Sequence, residues 1–483
     1  MTSFSSVNPA RPAEVIGTYE AGTGVDIDRA VATATEAQRQ WARIPAPARA
    51  DVVARAGSVL ASRKTELAGL VAREAGKVLV EAAGDVQEAV DMAAFVSGQG
   101  RSAWGETVPS ELADKLAWTT RQPVGVVGLI TPWNFPVAIP SWKIFPALLA
   151  GNGVVIKPSE HAPACCEAFV AACIEAGVPE GLLRVVHGFL EPGAALAVHP
   201  GVGAVSFTGS VPAGRAVAAR AMEAGPKLVS LELGGKNAMI VRPDADLDLV
   251  VDGAIFGAFG TAGQRCTSTS RLIAHPSIAA EVVTRIVDRA RTLRLGDPVE
   301  PETDVGPVIT ADAATRIVGM IDAAREQGGE ISCGGRARND IAGCEGGTFV
   351  EPTVVTGVKP DHRIATEEVF GPVLAVLEVE PLDEAIEVVN SVEYGLSAAV
   401  YTSNINEALH AVDRIDTGIV YVNAPTIGAE IPLPFGGTKR TGNGFREAGA
   451  RGIEQFSQIK TVYVDHSGRL QKAQIDTHPL DES

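Results

Sequence analysis

Between residues 124 and 234, short unbroken apolar runs alternate with helix-like stretches, and no other feature limits the fold so sharply. The runs are VGVVGLI, NGVVIKP, LLRVVHG, AVSFTG and KLVSLELGG. Apolar runs without polar alternation suit strands buried on both faces of a parallel sheet. The intervening HAPACCEAFVAACIEAG and PAGRAVAARAMEAG read as the crossover helices that parallel strands require. The expectation is an α/β chain with a Rossmann-like doubly wound sheet, a fold that receives nucleotides at the carboxyl ends of its strands.

With 483 residues the chain exceeds what one core usually organises. A second α/β unit, carrying the catalytic groups, is expected over 235–437. There VLAVLEV and SAAVYTS read as strands, and PETDVGPVITADAATRIVGMIDAAREQGG as a loop entering a helix. Residues 1–100 and 124–234 would form the cofactor unit, and 438–455 would return to it. After an irregular start, about 26–98 reads as helical, with Asp26 and Asp28 as candidate N-caps. Segment 101–123 reads as an oligomerisation arm or equally as a plain surface ribbon, and 456–483 as a tail whose strand could pair with an edge in a neighbouring subunit; on the first reading a homodimer or homotetramer is expected.

The net charge of −17 argues against nucleic acid or an anionic membrane surface as partner. Every long apolar run is interrupted, which argues against a membrane span. Six cysteines without a CxxC pair point to a reducing compartment and to no zinc or other metal site. Cys165, Cys166 and Cys173 share one helical stretch and read as packing residues. The N-terminal MTSFSSVNPARPAEV lacks a basic segment followed by an apolar core, so a cytoplasmic location is expected.

Reactive groups cluster with turn signals at several places. In TAGQRCTSTSR, Cys266 stands among small and polar residues beside the fixed cation Arg265, a setting for a reactive thiol. In ITPWNFP, Asn134 is flanked by Pro132 and Pro136; its amide could serve an oxyanion or close an Asx-turn. KPSE places Lys157, Ser159 and Glu160 where a ribose would sit, although such groups near a helix start are commonly solvated. FTGS offers Gly209 and Ser210 to a pyrophosphate but is not GxGxxG. In LELGGKN, Glu232 is either a general base or a buried structural carboxylate.

Together TPWNFP, IKPSE, FTGS, LELGGKN, GQRCTS, EEVFGPV and PFGGTKRTGNGFREAG resemble, in order and spacing, the NAD(P)-dependent aldehyde dehydrogenase superfamily. The resemblance covers essentially the whole chain. It implies Cys266 as nucleophile, Glu232 as base for the deacylating water, and Asn134 with the Cys266 N–H as oxyanion donors. It further implies a cofactor site of Ile130, Thr131, Pro132, Trp133, Lys157, Ser159, Glu160, Gly193, Phe207, Gly209, Ser210, Leu233, Gly234, Glu368 and Phe370. Glu160 favours NAD by repelling a 2′-phosphate, while NADP stays possible through Lys157 and Ser159. One departure stands out: HGFLEPG carries Leu190 and Glu191 where some members have glycine and a shorter side chain.

Within the superfamily the likeness is greatest to 2,5-dioxopentanoate (α-ketoglutaric semialdehyde) dehydrogenases, with aminoadipic semialdehyde, aliphatic and aromatic aldehydes as alternatives. Arg265 and Phe435 are the implied substrate contacts, since a cation would suit a far carboxylate, the alternative for Arg265 being that it packs within the loop. A CoA-acylating enzyme is disfavoured by Glu232, whose use is to activate water. An inactive homologue is disfavoured by the presence of Cys266, Glu232 and Asn134 together. A cofactor-free thiol hydrolase is the remaining alternative.

Overall fold

The computed structural model describes residues 2–102 and 104–475. Five parallel strands form the first sheet, in the order Leu183–Val185, Gly153–Pro158, Val126–Thr131, Val202–Thr208, Leu228–Glu232. The first strand in sequence therefore lies in the middle, and the chain winds outward from it in both directions. That reversal opens a crevice between the carboxyl ends of Val126–Thr131 and Val202–Thr208. The loops that follow these two strands carry Trp133 and Asn134 on one side and Gly209 and Ser210 on the other.

The second sheet has seven strands in the order Glu330–Cys333, Thr353–Thr356, Val373–Glu378, Thr269–Ala274, Asn237–Val241, Ser397–Tyr401, Ile419–Val422. All pairs are parallel except the one at the Glu330–Cys333 edge. Only four residues separate Glu232, ending the first sheet, from Asn237, opening a strand of the second. Cys266 and Glu368 likewise precede strands of the second sheet. The reactive groups thus gather where the carboxyl ends of one sheet meet the amino ends of the other.

Helices pack the sheets for the reasons the sequence suggests, with local differences. Helix Pro163–Glu175 buries Cys165, Cys166 and Cys173. The first helix runs Gly24–Trp41 with Thr23 at its N-cap, not Asp26 or Asp28. Asp26 sits at the third helical position and accepts the Thr23 backbone N–H at 2.9 Å, the reciprocal half of a capping box. The start of the chain is not irregular: Ser3–Val7 and Val15–Glu20 pair as an antiparallel ribbon. Helices Ala46–Ser62, Lys64–Ala75 and Leu79–Gly98 complete the N-terminal layer.

The arm strand Lys115–Pro123 lies between Thr107–Pro109 and the tail strand Ser457–Asp465. The tail pairs with the arm of its own chain along nine residues, from Ser457 opposite Pro123 to Asp465 opposite Lys115. The sequence-based expectation of pairing across subunits overlooked this internal partner. Residues 476–483 of the expected tail lie outside the described residues. Among the described residues no helix is long and apolar enough to cross a membrane.

Candidate active site

The nucleophile loop begins with backbone strain. Thr261 and Ala262 hold φ of 52° and 51°, in the left-handed region that non-glycine residues rarely enter. Neighbours fix that conformation. The Glu81 carboxylate accepts the Thr261 N–H at 2.9 and 3.0 Å, and the buried Gln264 donates to the Thr261 carbonyl at 3.2 Å and accepts the Ile309 N–H at 2.9 Å. Gly263, at φ 68°, brings the loop so close to Gly371 that an added Cβ would stand 2.0 Å from its carbonyl oxygen. Asn237 closes the loop by donating to the carbonyls of Cys266 at 2.8 Å and Ser268 at 2.9 Å.

Cys266 ends this loop half-buried, at the meeting point of two cavities. Burial, with the carboxylates of Glu368 and Glu232, pushes its thiol up, while the Thr267 and Cys266 N–H groups pull it back. Asn134, buried, donates one Nδ2 hydrogen to the Gln264 carbonyl at 3.0 Å. A primary amide has two such hydrogens, so the second remains for an oxygen at the cysteine.

Glu232 lines the smaller cavity, about 130 Å³, with Phe135, Trp142, Thr208 and Phe435. Its two carboxylate oxygens are buried without a hydrogen-bond partner. Burial first, then the nearby Glu447 carboxylate, raise its pKa well above the ordinary range, and Lys143 and Arg446 moderate the rise. Lys143 and Glu447 form a buried ion pair, with Lys143 also donating to Ser206 Oγ at 2.8 Å. Sequence reading missed this pair. Its one signal was a lone charge inside the apolar helix AIPSWKIFPALLA.

The larger cavity, about 530 Å³, opens on the other side of Cys266. Its walls include the expected Pro132, Trp133, Asn134, Gly209, Ser210, Leu233, Gly234, Glu368 and Phe370. Glu368 accepts the Gly235 N–H at 3.0 Å, and an added Cβ on Gly234 would stand 2.2 Å from Glu368 Oε2. Burial lifts the Glu368 carboxyl to about 7. Phe370, at φ 50°, meets Trp133 edge to face with ring centres 5.8 Å apart. Arg316 and Tyr394 also line it and were not anticipated. Ile130, Thr131, Lys157, Ser159, Glu160, Gly193 and Phe207 lie outside this lining, with Lys157 Nζ 3.5 Å from Glu160.

This cavity suits a dinucleotide. Ser210 caps helix Val211–Glu223, whose first N–H groups and dipole favour an anion such as a pyrophosphate. The buried Thr208 hydroxyl, on the wall shared by both cavities, has no protein partner. The Glu368 carboxyl, fixed by Gly235, can accept ribose hydroxyls.

Arg265 packs within the loop, the alternative to a free anchor. Its Nη2 pairs with Glu81 at 3.0 Å, its Nε donates to Thr261 Oγ1 at 2.9 Å, and the guanidinium lies 5.4–5.6 Å from the Phe256 and Phe135 ring centres. Arg265 lines the substrate-side cavity, but its charge already has a partner.

Fold and site define an oxidoreductase type in which one cysteine is shared by a small reactant pocket and a nucleotide cleft. The model of the aldehyde dehydrogenase family matches residues 1–462, and the chain belongs to that family. It is 42% identical over 461 residues to the α-ketoglutarate semialdehyde dehydrogenase of Haloferax volcanii, covering 94% of each chain. To the α-ketoglutaric semialdehyde dehydrogenase of Bacillus subtilis it is 37% identical, covering 95% of this chain and 93% of that one. The solved betaine aldehyde dehydrogenase of Staphylococcus aureus in complex with NAD+ superposes with a TM-score of 0.94 at 33% identity, covering 97% of this chain and 92% of that one.

Proposed function

We propose that the protein oxidises an aldehyde to its carboxylate with NAD, through a thioester on Cys266 that water hydrolyses. The observation that carries this reading is the position of Cys266 at the junction of the two cavities, with Glu232 on the substrate side and Glu368 on the cofactor side. Cys266 gives its thiol proton to water in the cavity, Sγ attacks the aldehyde carbon, and the developing oxyanion accepts hydrogen bonds from the free Asn134 amide hydrogen and the Cys266 N–H. NAD, when bound, supplies the hydride acceptor. Glu232 then takes a proton from water as the water oxygen attacks the thioester carbon, releasing the acid and the thiol. A carboxylate with a raised pKa is the stronger base for that step.

The finer reading names a dicarboxylic semialdehyde such as 2,5-dioxopentanoate. The names of the two relatives support it. It asks the pocket for a cation, and Arg265 is the sole lysine or arginine among the described residues lining the substrate-side cavity. Binding a far carboxylate there requires an Arg265 nitrogen not engaged with Glu81 or Thr261, or release of Glu81. A protein assembled through its arm, as a dimer or tetramer in the cytoplasm, completes the proposal; Leu116, Ile459 and Tyr463 lie exposed on the arm sheet.

The reaction is tested by following NAD reduction with the purified protein and an aldehyde, without CoA. Cys266→Ala is expected to abolish oxidation while leaving NAD binding nearly intact. Turnover by that variant, or a strict need for CoA, would overturn the assignment.

A further inference from the structure

Helix Leu79–Gly98 reaches both halves of the reacting centre from one face. Glu81 accepts the Thr261 N–H and pairs with Arg265 at 3.0 Å, which holds the nucleophile loop. One turn on, Asp85 meets the other half. Its Oδ1 accepts the Ala138 N–H at 2.7 Å, at the start of helix Ala138–Ala150, four residues beyond Asn134. A carboxylate at that end of a helix is favoured by the dipole and satisfies one of the helix's free N–H groups. A further turn on, Glu88 lines the aldehyde cavity itself.

Asp85 Oδ2 is held in turn by Lys77, at 3.0 Å, with both side chains fully buried. The Lys77 ammonium also stands 3.5 Å from the centre of the Phe135 ring, the residue next to Asn134. The Arg265 guanidinium lies farther from that ring, at 5.6 Å. Residues 134–138 are therefore gripped twice: at the Phe135 ring by a desolvated cation, and at the Ala138 N–H by the carboxylate paired with it. Burial pulls Lys77 below its ordinary value, and Asp85 opposes the fall. A buried ion pair adds little net stability over apolar residues of the same volume, so the use left to this one is to fix geometry.

Resting on the reading of Cys266 as nucleophile and Asn134 as oxyanion donor, we infer that Lys77 and Asp85 are positioning residues for the oxyanion donor. Together they hold segment 134–138 so that the free Asn134 amide hydrogen stays aimed at the oxygen forming on the aldehyde carbon. Neither residue lines the aldehyde cavity or the cofactor cavity, so both act through Asn134. The Asn134 bond to the Gln264 carbonyl fixes the amide at one point, and the two grips fix the backbone that carries it. With Glu81 holding the nucleophile loop, one helix sets the spacing between the sulfur and its donor.

The test is a double-mutant cycle read on the first turnover. Lys77→Met/Asp85→Asn removes both charges at once, so no buried charge is left unpaired, and the new amide oxygen can still accept the Ala138 N–H. The rate of the first NADH per active site is followed by stopped flow, with the best oxidised of 2,5-dioxopentanoate, succinic semialdehyde, butanal and benzaldehyde. It is expected to fall about tenfold in the parent background and by less than about twofold in Asn134→Ala, where the donor to be aimed is gone. NAD affinity and far-ultraviolet circular dichroism are expected to stay those of the parent. Phe135→Leu keeps the ion pair and removes the ring that Lys77 grips, and it carries the test alone if the first variant does not fold. Its loss should shrink in Asn134→Ala in the same way, whereas a lost contact with the aldehyde would persist in both backgrounds. Falls of equal size in the two backgrounds, or an undiminished first turnover in Lys77→Met/Asp85→Asn, overturn the inference while leaving the reaction in place. No NADH from the parent with any of the four aldehydes, or a parental rate in Asn134→Ala, overturns the reading beneath it, and the inference with it.

Discussion

Asn134 Nδ2 donates to the Gln264 carbonyl at 3.0 Å, joining two loops 130 residues apart and setting the amide beside Cys266. The bond fixes the amide plane, so the second hydrogen has a defined direction before any aldehyde arrives. Preorganisation of this kind is what makes an oxyanion donor effective.

Asn134→Ala is therefore expected to lower kcat by about 10²–10³-fold, the usual cost of one oxyanion donor. Steady-state rates and NAD titration by fluorescence check it. Equal loss of NAD affinity would assign Asn134 to cofactor binding instead.

Glu232 leads to a prediction that separates acylation from hydrolysis. With its pKa raised, the carboxyl is protonated at low pH and cannot take a proton from water. Turnover should rise with pH as Glu232 ionises. Glu232→Gln should lose that limb and accumulate acyl-enzyme, so that stopped-flow absorbance shows a burst of NADH near one per active site followed by slow turnover. A Glu232→Gln enzyme with the wild-type pH profile would remove Glu232 from the water-activating step.

Much of the fold was legible because it is written locally. Each strand of the first sheet is a continuous apolar run, and each crossover helix lies between two of them, so the parallel sheet follows from neighbouring residues alone. Cys266 was legible for the same reason: polar small residues around a thiol contrast with the buried setting of Cys165, Cys166 and Cys173. The Lys143–Glu447 pair spans 304 residues and leaves no local pattern. Glu81 and Glu88 look like solvated charges on an ordinary helix until the fold sets them against Arg265 and the cavity. The partner of Arg265 was invisible for that reason, so anchoring a far carboxylate and packing within the loop both stayed open.

Gly235 is expected to tolerate no side chain. An added Cβ would stand 2.4 Å from the Cys266 carbonyl oxygen and 2.9 Å from Asn237 Oδ1. The first belongs to the nucleophile loop and the second to the side chain that clamps it, so Gly235→Ala must shift either the loop or the Asn237 clamp. Displacement of a nucleophile by about 1 Å can cost on the order of 10²-fold in rate. The variant should keep the far-ultraviolet circular dichroism of the parent and lose at least that much kcat/KM. Parent-like activity would mean that the loop position does not limit catalysis.

Glu88 connects the pocket to stability. Its carboxyl faces Asp85 and Asp91 from its own helix and Lys77 and Arg265 from outside it, and burial raises it from the ordinary 4.5 to about 8. Between those values the folded protein holds a proton that the unfolded chain has released. Linkage then makes folding less favourable as pH rises through the window, with the full stability present below the unfolded value. Glu88→Gln lacks the titration. Melting curves at about pH 5 and about pH 9 should therefore converge at the acid end and separate at the alkaline end, with the glutamine variant the more stable there. An alkaline melting temperature for Glu88→Gln at or below that of the parent would mean that Glu88 is already balanced within the protein.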